Sequence, residues 1–64
     1  MSTPEPQGIG AVVSDKDGDL WVRGLWGGDW EGTSGGIGIW PLLEDAHGPL
    51  TVLTHGVHPD GTPA

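Results

Sequence analysis

Three aspartates at alternate positions, Asp15, Asp17 and Asp19 in "SDKDGDLW", are the first residues whose types and spacing suggest chemistry. They match the opening ligand positions of an EF-hand calcium loop, in which alternate carboxylates converge on one cation. The rest of such a loop is missing. Its sixth position is Leu20 instead of glycine, and its twelfth, Trp26 or Leu25 by count, is no carboxylate. The aspartates therefore read as a turn with solvated carboxylates, and no metal site is assigned. "GTSGG" from Gly32 to Gly36 fits the G-x-S-x-G elbow that presents a nucleophilic serine. An elbow needs a large parallel sheet, an oxyanion hole and an acid preceding its histidine, and 64 residues cannot supply that frame. His47, His55 and His58 match no compact metal spacing. His47 has a simpler place near a helix C-terminus, where positive charge is favoured. No catalytic residue and no cofactor is assigned, and an enzyme is not expected.

The remaining chemistry-bearing side chains are aromatic. Four tryptophans stand at positions 21, 26, 30 and 40 in a chain with no phenylalanine and no tyrosine. Trp30 and Trp40 read as core. Trp21 shares a strand face with Arg23, a pairing that permits guanidinium stacking and recurs among interface anchors. Trp21, Arg23 and Trp26 are the expected partner-binding residues.

The elements that must position these side chains follow from the turn. If Asp15 pairs with Asp19, the loop is Lys16, Asp17 and Gly18, a three-residue hairpin whose glycine takes the left-handed position. Ser14 then faces Leu20, Val13 faces Trp21, Val12 faces Val22 and Ala11 faces Arg23. One side of the ribbon carries Val12, Leu20 and Val22. The other carries Ala11, Val13, Trp21, Arg23 and Leu25. The aliphatic side is the better core candidate, because Arg23 resists burial without a partner. Its face, with Trp21, is expected to be partly wet.

"WGGDW" predicts a second tight turn at Gly27 and Gly28. A two-residue loop sets Leu25 opposite Trp30, a three-residue loop sets Trp26 there, and a third strand runs from about Trp30 to Thr33. "GTSGGIG" reads as loop, with Ile37 to Ile39 extended. Pro41 at a first helical turn and Gly48 just past the last frame "PLLEDAH" as a short helix whose Trp40, Leu43 and His47 share a face. "LTVLTHGV" is a final strand with Leu50 and Val52 on one side. The fold class is mainly β: a small antiparallel meander in the order β-β-β, short helix, β, curling toward an SH3-like half barrel. A single domain is expected over residues 8–57, with mobile tails at 1–7, which have nothing to bury, and at 58–64.

Composition narrows the function. A domain of this length hides roughly 60% of its unfolded surface, and the absence of cysteine removes disulfides and cysteine-ligated zinc. Nine acidic residues against two basic ones give a formal charge of −7. Such a surface repels phosphate backbones and anionic membranes, so neither nucleic acid nor a membrane is an expected partner. No apolar run approaches the roughly 20 residues that span a bilayer, and Met1 to Gln7 has neither the basic start nor the apolar stretch of a secretory signal. A soluble protein of the bacterial cytosol is expected.

"GAVVSDKDGDLWVR", Trp30 and "WPLLEDAHGPLTVL" together resemble a pattern of small proteins from actinobacteria and their bacteriophages. In these a D-x-D-G-D-x-W-x-R hairpin precedes a W-x-x-L-L…G-P-L-T-V-L segment. The resemblance covers Gly10 to Leu53, and the chain departs from it in the insert "GTSGGIGI" and in Pro41. It implies a phage or phage-like origin, in keeping with the bias of a GC-rich gene, and it carries over no catalytic residue. The expected function is a non-catalytic interaction protein acting in the host cytoplasm on a host protein with a basic surface. The alternative is a structural or self-associating accessory or virion component whose strand edges pair. A small-ligand protein ranks third, since so small a core leaves little room for a cavity of about 300 Å³.

Overall fold

A computed structural model describes residues 3–24 and 29–64. Asp15 sets the first hairpin. Its backbone N–H donates to the carbonyl of Asp19 at 2.9 Å, and Gly18 N–H closes back on its carbonyl at 3.1 Å. Asp15 Oδ1 also accepts from the N–H groups of Asp17 at 2.9 Å and Asp19 at 3.0 Å, the local bonding that makes aspartate a turn former. Gly18 has φ +84°, a region that costs a residue with a Cβ about 1–2 kcal/mol. The hairpin joins β1, Val12–Ser14, to β2, Leu20–Arg23. Its register pairs Ser14 with Leu20, Val13 with Trp21 and Val12 with Val22, and Arg23 N–H donates to Ala11 at 2.9 Å, all as expected.

Strand β3 is Asp29–Gly32 and β4 is Ile37–Ile39. Helix α1, Trp40–His47, follows directly, with proline in its first turn, and leads to β5, Thr51–Thr54. Among the described residues these strands form one open antiparallel sheet in the order β4-β3-β2-β1-β5. The mainly-β meander is therefore observed, with β4 a full strand before the helix. Arg23 stands opposite Trp30. That register matches neither the two-residue nor the three-residue turn expected at Gly27 and Gly28, which themselves lie outside the described residues.

The larger correction concerns which side of the sheet is the core. The buried cluster is Ala11, Val13, Trp21, Trp30, Trp40, Leu43 and Leu50, with Val52 packed against it. The expected core side is open instead: Leu20 is 37% and Val22 36% exposed. Indole size gives the reason. Each tryptophan offers on the order of 200 Å² for burial, so the side holding Trp21 and Trp30 gains more from being covered than the Val–Leu side. Helix α1 lies over it. Trp40 and Trp30 rings meet at 5.2 Å, His47 and Trp21 rings at 5.1 Å. A Cβ on Gly38 would come within 2.9 Å of Leu43 Cδ1, so the helix sits close on β4.

The N-terminal segment completes the cover. Pro6 is buried, Thr3 N–H donates to Glu44 Oε2 at 3.0 Å, and Thr3 Oγ1 donates to the Leu50 carbonyl at 3.4 Å. The expectation that this stretch has nothing to bury does not hold. At the other end, Val57 bridges both Ile9 and Pro63, and Ala64 N–H donates to Gly56 at 3.1 Å. The chain beyond residue 57 therefore folds back on the domain.

Candidate functional site

The expected site was an exposed pair, Trp21 with Arg23, extended by Trp26. Trp21 and Arg23 do share a face, but it is the covered one. Trp21 is 5% exposed, and its Nε1 donates to Asp15 Oδ2 at 3.0 Å. Arg23 Nη1 donates to Glu5 Oε2 at 2.8 Å, with the arginine side chain 11% exposed. Trp26 lies outside the described residues. Trp30 Nε1 donates to the same Glu5 oxygen at 3.0 Å, and Trp40 Nε1 donates to the Thr3 carbonyl at 3.1 Å. Every described indole N–H is thus satisfied internally, as buried polar groups require. The exposure on which the anchor reading depended is overturned. Its physical reason is Glu5, which supplies the counter-charge that makes burial of Arg23 tolerable.

The aspartate turn has structural employment as well. Both Asp15 oxygens are taken, one by two backbone N–H groups and one by the Trp21 indole. These bonds, the indole's first, hold the Asp15 carboxyl below its ordinary value, with His47 Nδ1 at 3.8 Å adding a smaller pull and burial opposing. Lys16 N–H donates to the His47 carbonyl at 3.0 Å, tying the turn to the end of α1. Ser34 is exposed in the turn between β3 and β4, and His55 and His58 are exposed near the C-terminus. Among the described residues no three metal-ligating side chains gather, and no helix is long and apolar enough to cross a membrane. A groove of about 490 Å³ runs between Thr3, Pro41, Glu44 and Pro49. Glu44, one of the two carboxylates lining it with Asp45, is already engaged by Thr3.

What remains is the uncovered side of the sheet. Strand alternation and register align Val12, Val22, Glu31 and Ile37 in one row across four strands. Ser14 and Leu20 form a neighbouring pair, Asp29 and Ile39 another. Ile37 is 72%, Leu53 56% and Ile39 47% exposed. Apolar residues at this density on an uncovered face are the kind of patch that marks an interaction site. Its charge is one-sided. Glu31 stands in the middle of the aliphatic row and Asp29 at its border, and among the described residues neither has an ion-pair partner. Sequence reasoning missed Glu31, Ile37, Ile39 and Leu53 as a surface. The Val12–Val22 pairing was the signal available, and carrying it onward required the β2–β3 register. Comparison of the chain with known protein families, curated proteins and solved structures returns no match.

Proposed function

We propose that this chain is a non-catalytic, acidic protein-interaction module, encoded by a phage of actinobacteria and acting in the host cytoplasm on a host protein with a basic surface. One observation carries the reading: the sheet keeps an aliphatic face uncovered and sets Glu31 at its centre. An apolar face with a central carboxylate selects a partner that brings its own apolar patch and a cation. The phage origin and the compartment rest on the resemblance of the hairpin and the "WPLLEDAHGPLTVL" segment. The docking surface moves from Trp21 and Arg23 to Val22, Glu31, Ile37 and Leu53.

Capture from an actinobacterial lysate tests this. A specific partner is expected with the native chain, lost with Glu31→Lys and with Leu53→Asp, and kept with Lys16→Glu in the distant turn. A partner indifferent to the two face variants counts against the surface, and capture of nothing counts against the function. The second reading, a self-associating structural component, draws on β4 and β5 standing at the two ends of the sheet formed by the described residues. Glu31 opposes it, because two copies packed through this face would bury two carboxylates without a counter-charge. Sedimentation across a concentration series separates the two readings, since only the second expects a concentration-dependent rise in mass.

A further inference from the structure

We infer that β4 is a strand-addition site, taking an extended partner segment in which basic residues alternate with uncharged ones. This rests on the interaction reading above and names its mode and its partner chemistry. Strand β4 ends the sheet, and its sequence is Ile37-Gly38-Ile39. Natural edges are commonly defended by lysine, proline or inward charge. Among the described residues this strand carries none of these; it is three residues long and runs directly into α1.

The hydrogen-bond phase shows what the edge offers. Gly32 N–H donates to the Gly36 carbonyl at 3.0 Å at the head of the β3–β4 hairpin. In an antiparallel pair the bonded positions alternate, so the next bonded pair is Trp30 with Gly38. The N–H and C=O groups of Gly38 face β3. Both groups of Ile37 and the N–H of Ile39 face away from the sheet, beside side chains 72% and 47% exposed, while the carbonyl of Ile39, the N-cap of α1, accepts the first helical bond. An incoming strand finds two outward donors, at Ile37 and Ile39, and one outward acceptor, at Ile37, flanked by isoleucine side chains.

Charge then selects the segment. Glu31 lies opposite Ile37, and Asp29 opposite Ile39, on the open face. With strands about 4.8 Å apart, an added residue facing Ile37 stands roughly 10 Å from the Glu31 backbone. An arginine or lysine there lays its stem over the isoleucine and brings its charge to the carboxylate. The residue two positions along does the same over Ile39 toward Asp29. A second copy of this chain fits poorly. It would bring its own Glu31 and Asp29 and no cation to the edge, setting like charges against one another.

The test uses the full chain, isotope-labelled, with three synthetic ten-residue probes: alternating lysine and valine, the same peptide N-methylated at alternate residues, and the same composition in two blocks. The alternating peptide is expected to slow amide exchange of Ile37 and Ile39 by about ten-fold or more, leave Gly38 unchanged, and weaken several-fold when Glu31→Gln is introduced. The methylated and block peptides are expected to give no protection. Shifts at Val22 and Leu53 without protection of Ile37 and Ile39 would overturn strand addition while leaving the open face as the interaction surface. Absence of binding by the alternating peptide at about 1 mM overturns the inference alone, because the lysate capture with Glu31→Lys reads the broader function independently. Protection that appears without peptide and grows with protein concentration overturns it in favour of self-pairing.

Discussion

Replacing Glu5 by alanine should cost this domain a large share of its stability, although the sequence places Glu5 in a polar leader. One carboxylate oxygen receives Arg23 Nη1 at 2.8 Å and Trp30 Nε1 at 3.0 Å. Trp30 is fully buried, so its N–H loses its acceptor, a penalty of about 1–3 kcal/mol where nothing replaces it. Arg23 keeps its charge without a partner. Full burial would make that cost about 3–5 kcal/mol, but the Glu5 side chain is 27% exposed and water can enter its place. A combined loss of about 2–4 kcal/mol follows, against a total near 3–10 kcal/mol for a domain of this length. Urea denaturation followed by tryptophan fluorescence reads it directly, and the melting temperature should fall by at least about 10 °C. Glu5→Gln, which keeps an acceptor but no charge, should lose about 1 kcal/mol. In a double-mutant cycle with Arg23→Met, the coupling should be about 1–2 kcal/mol. A Glu5→Ala variant within about 0.5 kcal/mol of the native chain would refute the reasoning, because the N-terminal segment would then not be part of the fold.

Gly18→Ala should destabilise by about 1–2 kcal/mol at a φ of +84°, measured in the same urea titration; a neutral result would mean the turn is not left-handed there. Acid should weaken the fold through Asp15. Its carboxyl is held below the ordinary value by the Trp21 indole and the turn N–H groups, so its contribution is present above about pH 3.9 and is lost as pH falls below that value. Asp15→Asn should flatten this acid limb of the stability curve, and an unchanged limb would assign it to other carboxylates.

The hairpin was legible because Asp15, Gly18 and Asp19 carry their instructions locally, and the helix because Pro41 and Gly48 bracket it. Which face closes was not legible. It depends on a bond between Arg23 and Glu5, separated by 18 positions, and alternation within a strand records no such partner. From local sequence, an arginine on a face argued for solvent, whereas with Glu5 in place it marks the covered side. The β2–β3 register escaped for a related reason. Gly27 and Gly28 have the composition of a tight turn, yet pairing is set where Trp30 finds room beneath Trp40, opposite Arg23. Strand β4 is three residues long inside a glycine-rich stretch, too short for periodicity to distinguish it from loop. The interaction surface inherited these omissions, since Glu31 and Ile37 join Val22 only through the two registers that local sequence left open.

The sheet has one sealed tryptophan side and one open acidic-aliphatic side, and a neutral gadolinium chelate added to the isotope-labelled chain measures this across every residue at once. Strong relaxation is expected at the methyl groups of Ile37, Ile39, Leu53 and Val22, with Val13 and the indole signals of Trp21, Trp30 and Trp40 spared. Strong relaxation of the Trp21 indole and the Arg23 side chain, with Val22 and Leu20 protected, would contradict it.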